Sequence, residues 1–366
     1  MNPDTIVAFR SKCYLLPRSL WWPFPEGVRS LPMAEITLVT FEVETASGIR
    51  GVGYAQNRGR GGKPVQATLD QLIGPALIGH DYSHPSLLWE QMHGQLARLG
   101  SGGVASLALS IADIALWDAA AIAMDRPLFR HLGARRESIP AYGSSFDRLY
   151  SDEEYLATAR EYVAAGMRAV KVRVGLDPTD DYRRLSLVRE ALDPSVALMV
   201  DANANWDLPT ALSRLPMLEE FGISFLEEPT VANDAEAFAE IQRHTTIPIA
   251  GGENLYTLND FRRFIEQRAL KILQPDIGRI GGVTGWLRVA ALGAAFHLPV
   301  ASHLGQEVSV HVLCAAENAT WLEYVPTFDP IFATPVVVNG DGTISPSEVP
   351  GIGVRFHDDL IEPYRI

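Results

Sequence analysis

Cysteine is scarce in this chain: Cys13 and Cys314 are the only two among 366 residues. Far apart in sequence, they match neither the spacing of a structural zinc site nor a redox pair, and they read as small buried apolar residues of a reducing cytoplasm. Long apolar runs are also missing. The richest stretch, Val104 to Ala123, is cut by Asp113 and Asp118, short of the run of roughly 18 uncharged residues expected of a membrane span. The N-terminal residues carry Asp4 and no apolar core followed by small residues, so they do not read as a signal peptide. Basic charge is in deficit, with 31 Lys plus Arg against 44 Asp plus Glu, a formal charge of −13. With no basic run interleaved with aromatics, nucleic acid and anionic membrane surfaces are disfavoured as partners.

What is present supports a folded enzyme-sized body. Apolar residues make up 47% of the chain and charged residues 20%, enough for a sizeable core and too apolar for wholesale disorder. At roughly 150 residues per domain, the length allows one large domain or two ordinary ones. Ala34 to Glu44 alternates with period two, Ser47-Gly48 supplies a turn and Gly51 to Tyr54 returns, which predicts a hairpin. Helical stretches follow over Pro64 to Leu77, Ser86 to Leu99 and Gly103 to Met124, so the first part reads as an α+β module.

From about Ser138 the pattern changes to short apolar runs separated by helical stretches. Eight runs end in Ser144, Lys171 with Arg173, Asp201, Glu227, Glu253, Asp276, His303 and Glu323, at intervals of 20 to 30 residues. Eight such units suffice to close a (β/α) barrel, whose strand carboxyl ends form the face where active sites lie. Residues scattered over the sequence therefore converge on one spot. The chain after Glu323 includes a strand-like Thr334 to Val338 and an Asn-Gly-Asp-Gly turn, and is expected to pack back on the N-terminal module.

Asp201, Glu227 and Glu253 end consecutive runs, and three adjacent carboxylates repel one another unless a hard cation with oxygen ligands lies between them; Mg2+ is the expected ion. A lone strand-end acid is more often a helix cap or an ion-pair partner, but three in consecutive units are not so explained. His303 is the expected base, with Asp276 holding its tautomer; His80, His84, His93 and His131 read as structural. Lys171 and Arg173 alternate by two and face the same way. Their mutual repulsion is expected to lower the lysine pKa toward a base's range, whereas arginine stays protonated and binds or polarises.

At these residues the chain resembles the enolase superfamily, its mandelate racemase subgroup in particular. The blocks that carry the resemblance are VKVRVG, MVDAN, FLEEPT, GGEN, QPDIGRIGGVTGW, ASHLGQE, WLEY and VPGIGV, in order. The resemblance implies an α/β fold, a (β/α)7β TIM-type barrel over 133–325, capped by an α+β domain built from 1–132 and the returning segment 326–366. It implies Mg2+ held by Asp201, Glu227 and Glu253, an Asp276/His303 dyad, and Glu323, Ser144 and Asn203 approaching the substrate. It also implies a homo-oligomer with an even number of subunits. The chemistry the family shares is removal of the proton next to a carboxylate to give a metal-stabilised enediolate, a well-known case of tuned acid/base chemistry that comes with the resemblance and not from residue spacing. Where the racemase has Lys-x-Lys, this chain has Lys171-x-Arg173, so two-base racemisation gives way to β-elimination of water from a sugar acid with His303 as the single base.

Two segments of the first part bear on the substrate. Gln56 to Lys63 carries Arg58, Arg60 and Lys63 among three glycines and reads as a mobile, positively charged lid or as a solvated turn. Trp21 and Trp22 wall the pocket opposite or pack the small module. The leading expectation is an acid-sugar dehydratase making a 2-keto-3-deoxy acid. The alternatives are a racemase, epimerase or cycloisomerase using Lys171 as a second base, and a metal-binding barrel without catalysis.

Overall fold

The computed structural model describes residues 4–17, 20, 35–144, 146, 150–175 and 177–366. Trp21 and Trp22 lie outside the described residues. Strands β1 (Ile6–Pro17), β2 (Glu35–Thr45) and β3 (Arg50–Arg58) form an antiparallel sheet in that order. The hairpin expected from the period-two pattern is β2–β3, joined where Gly48 takes a φ of +85° that favours glycine. β1 adds an edge strand that the sequence pattern does not predict.

The helix α1 (Val104–Ala123) lies across this sheet. A Cβ added at Gly53 would sit 1.9 Å from the Ile111 carbonyl oxygen, so glycine is what lets β3 and α1 approach so closely. By length and composition α1 could cross a membrane, but it is mostly buried inside the protein. Its two acids are hydrogen-bonded there: Asp113 to Thr284, Asp118 to the Val52 and Ile352 amides.

The remainder closes into a barrel. Parallel strands β4 (Ile139–Gly143), β5 (Ala169–Arg173), β6 (Ala197–Asp201), β7 (Leu226–Glu227), β8 (Ile249–Gly251) and β9 (Ile272–Leu273) follow one another. Val300 and His303 then bridge in parallel to Leu273 and Asp276, Val300 bridges to Ala319, and β10 (Leu322–Tyr324) pairs with β4 to complete the circle. Helices connect the successive strands, giving the (β/α)7β order. Several start on side-chain caps such as Ser151, Asp177, Asp207 and Thr257, each contributing about 1 kcal/mol.

Alternation along the strands decides what reaches the barrel axis. Ala169 and Lys171 alternate with Val170 and Val172, and Lys171 stands in register with Met199. Tyr142, Ala169, Met199, Phe225 and Ala250 pack together as the plug of the barrel, and the Lys171 ammonium lies 5.3 Å above the Tyr142 ring. The polar strand ends sit on top of that plug.

Two expectations need correction. Thr334 to Val338 is not a strand: Pro335 has no amide to donate, Val337 is 71% exposed, and only Val338 bridges, to Ile344. The segment after Glu323 meets the barrel before it reaches the N-terminal module. Strand β11 (Thr343–Ile344) first pairs with β4 of the barrel; Gly351 then bridges to Pro127 and Arg365 to Tyr14. Finally, Gln56 to Lys63 is no extended lid, because β3 runs through Arg58 and a helix starts at Gly62. Gly62 is pinned against Thr37 and Cys13, where a Cβ would collide, and Thr37 Oγ1 donates to the Gly59 carbonyl.

Candidate active site

At the carboxyl rim, Lys171 is the hub of one wall. Its buried Nζ lies 2.6 Å from Glu227 Oε2, 2.8 Å from Glu323 Oε1 and 3.9 Å from Asp201 Oδ2. Burial alone would push the ammonium down, but Glu227 and Glu323 outweigh it and hold the pKa well above the usual lysine value. This reverses the expectation of a lowered lysine pKa: the nearest charges are carboxylates, and Arg173, one strand turn higher and half-buried, sits beside Asp201 instead.

His303 is the hub of the opposite wall. Its Nδ1 lies 2.7 Å from Asp276 Oδ2 and its Nε2 3.0 Å from Glu253 Oε2. Burial works against the imidazolium, but Glu253 and the Asp276 hydrogen bond raise the pKa well above the ordinary histidine value. Asp276 is itself oriented by the Gly278 amide at 2.7 Å and by Arg279 Nε at 3.2 Å.

The predicted smaller groups attach to these walls. Ser144 Oγ donates to Glu323 Oε1 at 2.7 Å, and the Leu304 amide donates to Glu323 Oε2 at 3.0 Å. Asn203 binds Asp201 through its main-chain amide, at 2.7 Å, and through its side-chain amide. Glu323 is raised by burial, but Lys171 and His303 more than offset that and bring it down to about 2. Arg60 is not brought to the cluster: it pairs with Glu35 on the surface, while Lys63 donates to the Ile366 carbonyl. The Arg58 side chain lies outside what the structure describes. Between β3 and the dyad is a small cavity of about 30 Å3 lined by Tyr54, Gln56, Asp276, Arg279 and Leu304 among others.

Several partners of the cluster are not foreseen from the sequence. Gln274 Nε2 donates to Glu227 Oε2 at 3.0 Å. Asn254 Nδ2 lies 3.0 Å from both oxygens of Glu228, and Arg279 Nη1 reaches the Glu253 carbonyl at 2.9 Å and Asn254 Oδ1 at 3.2 Å. Each stands within three residues of a predicted acid, so proximity to the strand end is the signal that could have found them. Glu228, pushed up to about 9 mainly by burial and then by Glu253, has a φ of +38°. Asn203, Ala204 and Leu304 share this left-handed conformation. Strain on the order of 1 kcal/mol each at such positions is typical of active sites.

Among the described residues no set of three His, Cys, Asp or Glu side chains is already closed as a coordination sphere, since Lys171 stands against Glu227 and His303 against Glu253. The donor set nevertheless fits a hard divalent cation. Glu227 is fully buried and its Oε1 has no hydrogen-bond partner. Burial first, then neighbouring acids, raises Glu227 to about 8, and Asp201 is raised as well. A buried acceptor without a donor and acids that raise one another are relieved by an oxygen-ligated cation.

Comparison with known proteins places the chain. Residues 154–360 match the enolase C-terminal domain-like family, and residues 20–133 match the mandelate racemase / muconate lactonizing enzyme N-terminal domain. The chain is 34% identical to a 3,6-anhydro-alpha-L-galactonate cycloisomerase of Streptomyces coelicolor, over 88% of this chain and 90% of the relative. It is 32% identical to an L-talarate/galactarate dehydratase of Salmonella typhimurium, over 90% of this chain and 83% of the relative. The crystal structure of an L-talarate dehydratase from Polaromonas sp. JS666, complexed with Mg and L-glucarate, superposes with a TM-score of 0.90 at 30% identity, covering 99% of this chain and 97% of that one.

Proposed function

We propose, from the premise that this chain belongs to the mandelate racemase subgroup of the enolase superfamily, that it is a Mg2+-dependent dehydratase of a sugar acid, aldonate or aldarate. The observation that carries this reading is the asymmetry of the two walls. His303 has Nδ1 committed to Asp276 at 2.7 Å and Nε2 3.0 Å from Glu253, a partner that a bound cation would draw away, whereas the opposite wall offers Arg173, a guanidinium that binds and polarises, and Lys171, held among three carboxylates.

Asp201, Glu227 and Glu253 would hold the cation. When bound, Mg2+ takes up the charge of these acids, including the Glu253 charge that otherwise faces His303, and opposes the charge that grows on the substrate carboxylate as the α-proton leaves. His303 Nε2 takes that proton, and Asp276 keeps the ring oriented and its Nδ1 protonated. The imidazolium then returns the proton to the β-hydroxyl as the Cβ–O bond breaks, so water leaves and the resulting enol becomes the 2-keto-3-deoxy acid. Lys171, Arg173, Ser144 and Glu323 bind and orient the carboxylate and its neighbouring hydroxyl.

Incubation with Mg2+ and a panel of acid sugars, with 2-keto acid as the readout, tests the reading. Intact metal binding with no keto acid from any member of the panel rejects it. A cycloisomerase is the second reading, favoured by the 34% identity to the anhydrogalactonate enzyme; it interconverts isomers without releasing a keto-deoxy product, so product mass separates the two. An even-numbered homo-oligomer belongs to the same proposal and is checked by light scattering.

A further inference from the structure

We propose that the polar stripe of α1 positions the His303–Asp276 dyad by gripping the segment 279–284, making Ser106 and Ser110 positioning residues. The inference rests on the dehydratase reading for its kinetic arm only. Ser106, Ser110, Asp113 and Trp117 recur at intervals of four, three and four and so form one stripe on the helix. All four meet the same short segment. Ser106 Oγ donates to the Arg279 carbonyl. Ser110 Oγ accepts the Gly281 amide at 2.8 Å while donating to the Ser106 carbonyl at 2.8 Å. Asp113 accepts from the Thr284 amide at 2.8 Å and from its hydroxyl at 2.7 Å, and Trp117 Nε1 donates to that hydroxyl at 2.9 Å. From a neighbouring helix, Trp89 Nε1 donates to the Gly281 carbonyl at 2.7 Å.

The gripped segment is built to be held. Gly281 and Gly282 have φ values of +89° and +73°, and a Cβ at either would meet Trp89 at 2.9 Å or Asp113 at 2.6 Å. Burial energy alone does not call for the stripe, because alanine packs at buried positions 105, 108, 112, 115 and 119 of the same helix, where no hydroxyl has to be desolvated. The Ser106 hydroxyl instead fixes the Arg279 carbonyl and the Ser110 hydroxyl the Gly281 amide two residues on, and the Arg279 side chain lies 3.2 Å from Asp276 Oδ2 and 2.9 Å from the Glu253 carbonyl. Position passes from α1 through the Arg279 backbone and guanidinium to Asp276, and then to the imidazole.

The test compares wild type, Ser106→Ala, Ser110→Ala, the double variant and Ser106→Thr with Leu69→Ala, a cavity in the buried α+β core that leaves the stripe untouched. Hydrogen exchange over 276–285 is expected to quicken about 10-fold in the double variant, with kcat reduced about 10- to 100-fold and KM within about twofold. Ser106→Thr, which keeps the hydroxyl, is expected to restore both. Leu69→Ala is expected to lower Tm without changing exchange over 276–285 or kcat. Exchange over 276–285 in the double variant equal to wild type overturns the clamp, as does a loss of protection and kcat that Leu69→Ala reproduces. If wild type turns over no acid sugar, the dehydratase reading fails on that result alone, and the exchange measurement still decides the clamp.

Discussion

Two groups of buried carboxylates differ in their partners, and the contrast separates structural acids from those of the proposed site. Asp113 and Asp118, where α1 meets the barrel and the returning segment, are 0% and 3% exposed; Asp201, Glu227 and Asp276 at the rim are 3%, 0% and 6% exposed. Burial therefore does not distinguish the two groups. Nor does a raised pKa, since burial pushes Asp113 and Asp118 to about 7 and Glu227 to about 8. The partners do distinguish them. Asp113 and Asp118 receive neutral donors, Thr284 in one case and the Val52 and Ile352 amides in the other. The rim acids face Lys171, His303 and Arg279, one of them keeps an oxygen without a donor, and the backbone beside them is left-handed. Cations arriving from several strands, a spare acceptor and local strain together set the proposed site apart.

The largest effect expected from breaking this contrast is at the rim. His303→Asn should lower kcat by about 10^3- to 10^4-fold and abolish α-proton exchange in D2O, and Asp276→Asn should cost about 10^2-fold. Asp118→Asn should lower Tm and leave kcat within about twofold. Equal losses of kcat from Asp276→Asn and Asp118→Asn, measured by keto acid release at saturating substrate, would erase the distinction.

A smaller effect sharpens the asymmetry within the rim. Arg173→Lys places a titratable amine where the charge is now permanent, on the wall facing His303. Slow exchange of the α-proton from the opposite face is expected, about 10^2-fold below the His303 route. It is read by deuterium incorporation into substrate of the opposite α-configuration. A folded Arg173→Lys protein without such exchange would mean that this position does not face the α-carbon.

The barrel is legible in the sequence because its periodicities are local: a run of apolar residues ending in a polar one recurs eight times, and alternation by two alone puts Lys171 and Arg173 on one face. The acids after the strands are legible for the same reason. What escapes depends on partners distant in sequence. β1 is an edge strand with charged Arg10 and Lys12 pointing outward and an irregular burial pattern, so only its pairing with β2 reveals it. The roles of Arg279 and Asn254 follow from turns beyond the strand ends, and Glu228 from a positive φ that no propensity foretells. The expectation for Lys171 fails because Arg173 is its neighbour in sequence, while Glu227 and Glu323 are its neighbours in space.

The smallest effect concerns pH and the structural acids. Asp118 accepts the Ile352 amide at 2.7 Å, and His311 Nε2 lies 3.1 Å from the carbonyl of the same residue. The Phe129 amide donates to His311 Nδ1 at 3.1 Å, which requires a neutral ring with its proton on Nε2; burial lowers this histidine to about 4. The two groups act on stability with opposite signs. Asp118, raised to about 7 from 3.8, contributes stability at low pH that is lost as pH rises through that interval. His311, lowered from 6.5, contributes stability above that value that is lost as pH falls toward 4. Where the windows overlap, each slope is about 1.4 kcal/mol per pH unit and the two largely cancel. Urea unfolding between pH 4.5 and 6.5 should therefore show that Asp118→Asn, relative to wild type, becomes less stable as pH falls, and that His311→Gln becomes more stable. Parallel pH profiles for all three proteins would show that neither group changes its proton affinity on folding, and would leave the neutral partners of Asp118 without an energetic consequence.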